Sequence, residues 1–300
     1  MQPVTLGRMT VQKVLEMESG PPMPLILPGI TPEDLARLAT WYTDDTLGPT
    51  AEQSAFMMSM HSYVLQLDGL TVLVDACNGD HKPRSIADVD RRQTPYLANL
   101  AKLGLTTDDI DLVLCTHLHF DHVGWNTRLE NGKWVPTFAN ARYLFSKRDF
   151  EHFGKQELEN DNLRAFRDSV LPVYEAGRAQ LVEENLIVHR QIGDGVWLEP
   201  AFGHSPGNFS VLAECGGERA IFWGDVVHHP VQLVRPDLKM SFDGDPEMAL
   251  ATRQRTITRA VDEALVCFPA HFRDPSGGRI VRDGSVYRYI FLGNNHEVTP

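Results

Sequence analysis

Three imidazoles and a carboxylate fall within the six consecutive positions His117-Leu118-His119-Phe120-Asp121-His122, directly after the apolar run Leu112-Val113-Leu114-Cys115. Imidazole nitrogens and carboxylate oxygens are the donors that zinc-type divalent cations take. A buried strand that ends in such a turn throws alternate side chains toward one point. His117 and His119 suit that point, and Asp121 and His122 can lean toward a second one beside it. The chemistry on offer is that of two neighbouring cations. Held about 3.5 to 4 Å apart, they polarise a carbonyl or phosphoryl oxygen and lower the pKa of water, so hydrolysis needs no serine or cysteine nucleophile. Asp121, beside them, could guide a proton toward the leaving group.

Three further donors stand later in the chain, each at a predicted strand end: His204 in Gly203-His204-Ser205-Pro206-Gly207, Asp225 after Phe222-Trp223-Gly224, and His271 after Phe268-Pro269-Ala270. Any of these alone reads as a solvated loop residue or a helix cap. With the first cluster they read as the remainder of a ligand set. Asp75, ending Val72-Leu73-Val74, is placed to accept the second N–H of a ligating imidazole or to serve as a strand-end turn residue. Gly124 suits close backbone approach, and Trp125 suits either a pocket wall or the core. His228 and His229 offer a hydrogen bond to a developing oxyanion or a proton relay, against the plainer role of loop histidines. His61 is an ordinary strand-start residue that can also face the site edge, and His81, His152, His189 and His296 are surface residues.

The elements that must carry these groups follow from pattern. Ser62–Leu67 and Thr71–Ala76 flank Asp68-Gly69 as a hairpin, and Tyr96, Leu97, Leu100 and Leu103 form a helical stripe that Gly104 stops. The strand with the metal turn comes next, so strand, helix and strand imply a layered α/β plan. Arg142–Phe145 is a strand, and Ser146 with Asp149 is a capping box. Strands are expected at Val196–Phe202, Ser210–Cys215 and Ala220–Trp223, then a helix capped by Asp245-Pro246, and finally a hairpin around Asp283-Gly284. Two strand-rich halves with helices predict an αββα sandwich of two mixed sheets, with ligands on the loops at one edge. Residues 1–59 form a less regular N-terminal extension with a helix over Pro32–Trp41, packed on the core or at a homodimer contact. Residues 60–300 form the main domain. The segment 147–184 is the expected helical cover of the pocket, with Phe150, Phe153, Phe166 and Tyr174 either pocket walls or, more simply, core.

Composition narrows the function. A formal net charge of −12 argues against nucleic acid as a partner, because phosphate-backbone binding needs a basic face. The four cysteines, Cys77, Cys115, Cys215 and Cys267, lie in apolar runs without a C-x-x-C pair and read as reduced core residues. Without an apolar N-terminal signal core or a membrane-length apolar run, the expected location is the cytoplasm, with no membrane partner.

Taken together, T-H-L-H-F-D-H-V-G-W, G-H-S-P-G, Asp225 and His271 resemble the metallo-β-lactamase superfamily of di-metal hydrolases over roughly residues 60 to 290. By that resemblance, His117, His119 and His204 bind one metal ion, Asp121, His122 and His271 bind another, and Asp225 bridges them. Zinc is the first expectation for the two ions, with iron, manganese and cobalt served by the same donors. Within the superfamily the look is similar to N-acyl homoserine lactonases and methyl-parathion-hydrolase-like enzymes. This implies a small ester or lactone substrate, with phosphotriesters or other xenobiotic esters as the alternative. Many lactonases carry a tyrosine three residues after the bridging aspartate, where this chain has His228. A mononuclear-iron dioxygenase and a non-catalytic ligand-binding metal protein are the readings from other classes.

Overall fold

The computed structural model describes residues 1–183, 186–191 and 194–293; His296 lies outside the described residues, as does the side chain of His189. Two seven-stranded sheets face one another. The first runs, edge to edge, Val4–Leu6, Met9–Ser19, Met58–Leu67, Leu70–Val74, Leu112–Leu114, Arg142–Ser146 and Ala179–Val182. Its first four strands pair antiparallel, and the last four pair parallel. The second keeps chain order from Leu186–Gln191 to Val286–Phe291, antiparallel except where Glu218–Phe222 meets Val266–Cys267.

Alternation explains the layering. Along Leu70–Val74, Leu112–Leu114 and Arg142–Ser146 one set of side chains (Val72, Val74, Leu112, Leu114, Leu144) points between the sheets to meet Val211, Ala213, Phe222 and Phe268. The other set (Leu73, Val113, Tyr143, Phe145) meets Tyr96, Leu100 and Phe166 from covering helices. Behind the second sheet, the helix Pro246–Asp262 packs Ile257 and Ala260 onto Leu212, Ile221 and Cys267. Its cap is as expected, with the Asp245 side chain accepting from Met248 N. The fold is thus the predicted αββα sandwich of two mixed sheets. All four cysteines are free and buried within it.

Both expected hairpins form, with Asp68 and Gly69 at φ 52° and 83°, and the strands around Asp283-Gly284 at Gly278–Asp283 and Val286–Phe291. Residues 1–59 contribute more order than their pattern suggested. Met9–Ser19 pairs with Met58 through Gln66 of the next strand, and Met23–Ile26 and Pro32–Leu38 pack Ile26, Leu35 and Leu38 against Val231, Val234 and Met240. A β-bulge between Leu15 and Met17 breaks the two-residue period, and Glu16 is buried where alternation calls for an apolar side chain. The helix expected over Pro32–Trp41 stops at Leu38. No described helix is long and apolar enough to cross a membrane.

Candidate metal centre

Every candidate donor stands just beyond the carboxyl end of a strand, on one edge of the sandwich. Asp75 follows Leu70–Val74, the cluster 117–122 follows Leu112–Leu114, His204 follows Asp194–Pro200, Asp225 follows Glu218–Phe222, and His271 follows Val266–Cys267. Strand ends of α/β sheets are where open loops gather, so donors distant in sequence become neighbours there. Asp225 lies at the centre. Its Oδ2 is 3.2 Å from His204 Nε2 and 3.8 Å from His117 Nε2, and its Oδ1 is 3.2 Å from His122 Nε2 and 3.1 Å from His271 Nε2. His119 Nδ1 lies 2.9 Å from His204 Nε2, and Asp121 Oδ2 is 3.7 Å from His271 Nε2 and 3.8 Å from His122 Nε2. The seven predicted donors converge. Their ligand atoms group as His117, His119 and His204, as His117, His122 and Asp225, and as Asp121, His122 and His271, each set within 4.8 Å of one another.

The donors fit divalent cations. Asp75 Oδ2 lies 2.9 Å from His122 Nδ1, and Asp243 Oδ1 lies 3.0 Å from His204 Nδ1. Each carboxylate accepts from the ring Nδ1, so that Nε2 is the nitrogen turned toward Asp225. Thr116 Oγ1 lies 3.2 Å from His117 Nδ1 and donates to Asp75, with the same effect on His117. His117 Nε2, His122 Nε2, His271 Nε2 and Asp225 Oδ1 are buried without a hydrogen-bond partner. A buried acceptor left unpaired costs about 1–3 kcal/mol, and a cation among them would satisfy all four.

Charge state follows the same geometry. Burial and the neighbouring imidazoles hold His117 and His119 well below the usual imidazole pKa, the state in which nitrogen can ligate. Burial also opposes charge on His122 and His204. There Asp225 outweighs it, joined by Asp121 and Asp75 at His122 and by Asp243 at His204, and His204 rises to about 9. Asp225 itself is held far below the carboxylate range, since four imidazoles outweigh its burial.

The other predictions sort cleanly. His228 joins the cluster with Nε2 3.1 Å from Asp225 Oδ2, and burial lowers it to about 4 despite that carboxylate. His229 turns away, packed on Phe56 at 5.2 Å and Tyr42 at 5.9 Å, with Nδ1 accepting from Val231 N. His61 is buried against Tyr63, and His81 and His152 are exposed. Trp125 is core, stacked on Tyr96 at 5.1 Å.

A cavity of about 580 Å³ opens onto the centre, with His119, Asp121, Asp225, His228 and His271 on its floor. Its walls differ from expectation. Of residues 147–183, Asn162 alone reaches it, while Phe153 and Phe166 are core and Phe150 packs on Phe166 and Tyr174. Those helices use their aromatic stripe to cover the first sheet, so the stripe is unavailable to a ligand. Leu25 and Ile26, Met58 and Met60, Ile86 and Val89, Phe120, and Met240 and Phe242 form the walls instead.

Three carboxylates that sequence reasoning passed over hold the frame. Asp149, expected only as a helix-capping residue, accepts from Leu118 N at 3.1 Å, Ser205 Oγ at 2.8 Å and Gly207 N at 2.7 Å, and so joins the two loops that carry His117, His119 and His204. Asp243 bears on His204 and lies 3.4 Å from Arg253 Nη2. Glu16 is the third. No local pattern marks these bridging roles, because the partners of the three carboxylates lie between 10 and 109 positions away in sequence.

Comparison with known proteins agrees with this architecture. The model of the Metallo-beta-lactamase superfamily matches residues 59–271. Among solved structures, the hydrolase AbOPH of the beta lactamase superfamily is 22% identical with a TM-score of 0.77, covering 96% of each chain. AidC, described as a dizinc quorum-quenching lactonase in complex with a product, is 18% identical with a TM-score of 0.74, also covering 96% of each chain. At these identities the likeness is one of fold. A 7,8-dihydropterin-6-methyl-4-(beta-D-ribofuranosyl)-aminobenzene-5'-phosphate synthase of Methanocaldococcus jannaschii is 31% identical over 74 residues, which are 24% of this chain. The chain spans 25% and 31% of the lengths of two curated relatives that it matches.

Proposed function

The chain belongs to the metallo-beta-lactamase superfamily, and from that premise we propose that it is a two-cation hydrolase of uncharged esters and lactones, with N-acyl homoserine lactone-type compounds the first candidates. The observation that carries the proposal is the set of unpartnered imidazole and carboxylate atoms around Asp225 at the floor of an apolar cavity. His117, His119 and His204 would hold one cation and Asp121, His122 and His271 the other, with one oxygen of Asp225 toward each group. Bound divalent ions, zinc first and iron, manganese or cobalt by the same donors, supply Lewis acidity and a water of lowered pKa.

The chain's own residues do the rest. Asp121, with 12% of its side chain exposed, stands between the buried imidazoles and the cavity, where a carboxylate can pass a proton to a leaving group. His228 is neutral at pH 7 and borders the cavity, so its ring N–H can donate to a carbonyl oxygen as negative charge grows there. Leucine, isoleucine, methionine and phenylalanine walls would take an acyl chain. Neither lysine nor arginine borders the cavity among the described residues, which favours a neutral substrate over a phosphomonoester or carboxylate. The four buried free thiols suit a reducing compartment such as the cytoplasm.

The test is steady-state kinetics on protein of known metal content, with an acyl homoserine lactone against an aryl phosphotriester. The lactone is expected to give the higher kcat/KM. A phosphotriester preference would move the assignment to that ester class. Failure on both with two ions bound would sink the hydrolase reading in favour of ligand sequestration, and oxygen uptake with a persulfide would replace it by iron redox chemistry.

A further inference from the structure

Beneath the second group of ligands, on the side away from the cavity, lies a carboxylate that no step above uses. Glu16 is 2% exposed. It sits on the strand Met9–Ser19, outside the span matched by the family model, at the β-bulge between Leu15 and Met17. An extra residue in one strand re-aims its side chain, and here the carboxylate turns under the loops that carry Asp75 and His122.

Its partners are all nitrogen donors. Oε2 accepts from Asn78 N and Asn78 Nδ2, and Oε1 accepts from Gly79 N, each at 2.9 Å. Oε1 also accepts from Trp125 Nε1 at 2.7 Å. With donors on both oxygens, the pattern is that of a carboxylate. The residues gathered are those that flank the metal turn. Ala76 N donates to His122 O at 2.8 Å, Trp125 N to Ala76 O at 2.6 Å, and Gly124 N to Cys77 O at 2.7 Å. The two backbones nearly touch, since a Cβ on Gly124 would come within 1.8 Å of Asn78 O.

The loop held this way is conformationally costly. Asp75 and Cys77 have φ of 60° and 46°, a region that side chains other than glycine rarely take, and such backbone persists only where its surroundings over-determine it. Asp75 in that conformation sets the tautomer of His122. A chain of contacts therefore runs from Glu16 through the 75–79 loop to the His122 nitrogen. The loop reaches His117 only one contact further on, through Thr116, which donates to Asp75 and lies 3.2 Å from His117 Nδ1, and no such chain reaches His119 or His204 among the described residues.

We propose that Glu16 is a positioning residue for the cation held by Asp121, His122 and His271, and that the N-terminal strand thereby sets the affinity of that ion more than that of its neighbour. The proposal rests on the two-cation assignment above. Its test uses the full chain, loaded with zinc and dialysed against a graded chelator series, with zinc per chain measured by elemental analysis. Thermal melting of the metal-stripped forms is followed alongside.

Glu16→Gln sets an amide NH2 against N–H donors. It should release one of two ions at about a tenfold lower chelator concentration than wild type, while the release of the other ion shifts by much less. Trp125→Phe, which removes one donor, should shift the same ion in the same direction by less, and it carries the test if Glu16→Gln does not fold. A chelator curve for either folded variant identical to wild type overturns the proposal. So does a parallel loss of both ions that tracks a lowered melting temperature of the stripped form. A wild type that never holds two ions overturns the two-cation assignment itself, and this proposal with it.

Discussion

The two halves of the centre are built in different ways. Around His117, His119 and His204 the frame is made by carboxylate side chains, one of which joins the loops of the two sheets. Asp149, from the helix Lys147–Gly154, fastens Leu118 to Ser205 and Gly207, and Asp243 fixes the His204 ring. Around Asp121 and His122 the frame is mainly backbone within the first sheet, three main-chain hydrogen bonds between 75–79 and 122–125 with a carboxylate beneath. A cross-sheet bolt can be removed by one substitution, whereas a backbone frame yields only when its conformation is released. The halves should therefore fail separately except at the groups they share, Asp225 at the centre and Asp75, which bears on His122 directly and on His117 through Thr116.

Asp225→Ala should have the largest effect, because that side chain faces both groups. Turnover should fall more than about a hundredfold, with both ions lost under mild chelation, as seen by kinetics and elemental analysis. Normal metal content would contradict the shared role.

Asp149→Ala separates the halves. It leaves Leu118 N, Ser205 Oγ and Gly207 N without an acceptor, so stability should drop by about 3 kcal/mol in urea unfolding. The ion at His117, His119 and His204 should be the one to weaken. Selective loss of the other ion would break the comparison.

His228→Ala tests the one cluster member outside the seven predicted donors. It should lower kcat about tenfold with KM and metal content little changed, the pattern of a group that acts on the transition state. An unchanged kcat would make His228 a packing residue.

The smallest effect sharpens the second half. Lys82 is fully buried, donating to Thr127 Oγ1 at 2.5 Å and Asp168 O at 3.1 Å, over the Trp134 ring at 3.5 Å. Burial lowers its pKa from 10.5 to about 7 in spite of Asp168. Between those values the unfolded chain binds the extra proton, so the stability cost is absent above pH 10.5 and complete below about pH 7. Stability measured in urea should rise from pH 7 to 9.5 by more in the wild type than in Lys82→Met. Equal slopes would show that the site is not protonated differently on folding.

Much of the site was legible because its donors obey short-range rules. H-x-H-x-D-H after an apolar strand, and His204, Asp225 and His271 at strand ends, place ligand types where strands must end. The sandwich followed likewise from hairpin and strand signals. The Met9–Ser19 strand was hidden because the bulge at Glu16 spoils its period, and the N-terminal share of the cavity wall was hidden with it. The segment 147–184 was expected to cover the pocket and does not, while Phe153 and Phe166 took the simpler of their two expected roles. A stripe at helical spacing identifies a buried face, and the first sheet took that face before any ligand could.

The amino-acid order by itself determined the donor types, the turns that present them and the alternation that layers the sheets, since each depends on neighbours a few positions away. Only the tertiary structure decided which carboxylates hold the ligand loops, which walls close the cavity, and that His228 meets Asp225 while His229 packs on Phe56. Those outcomes depend on contacts between distant segments, and their energies arise only once both sheets have closed on one another.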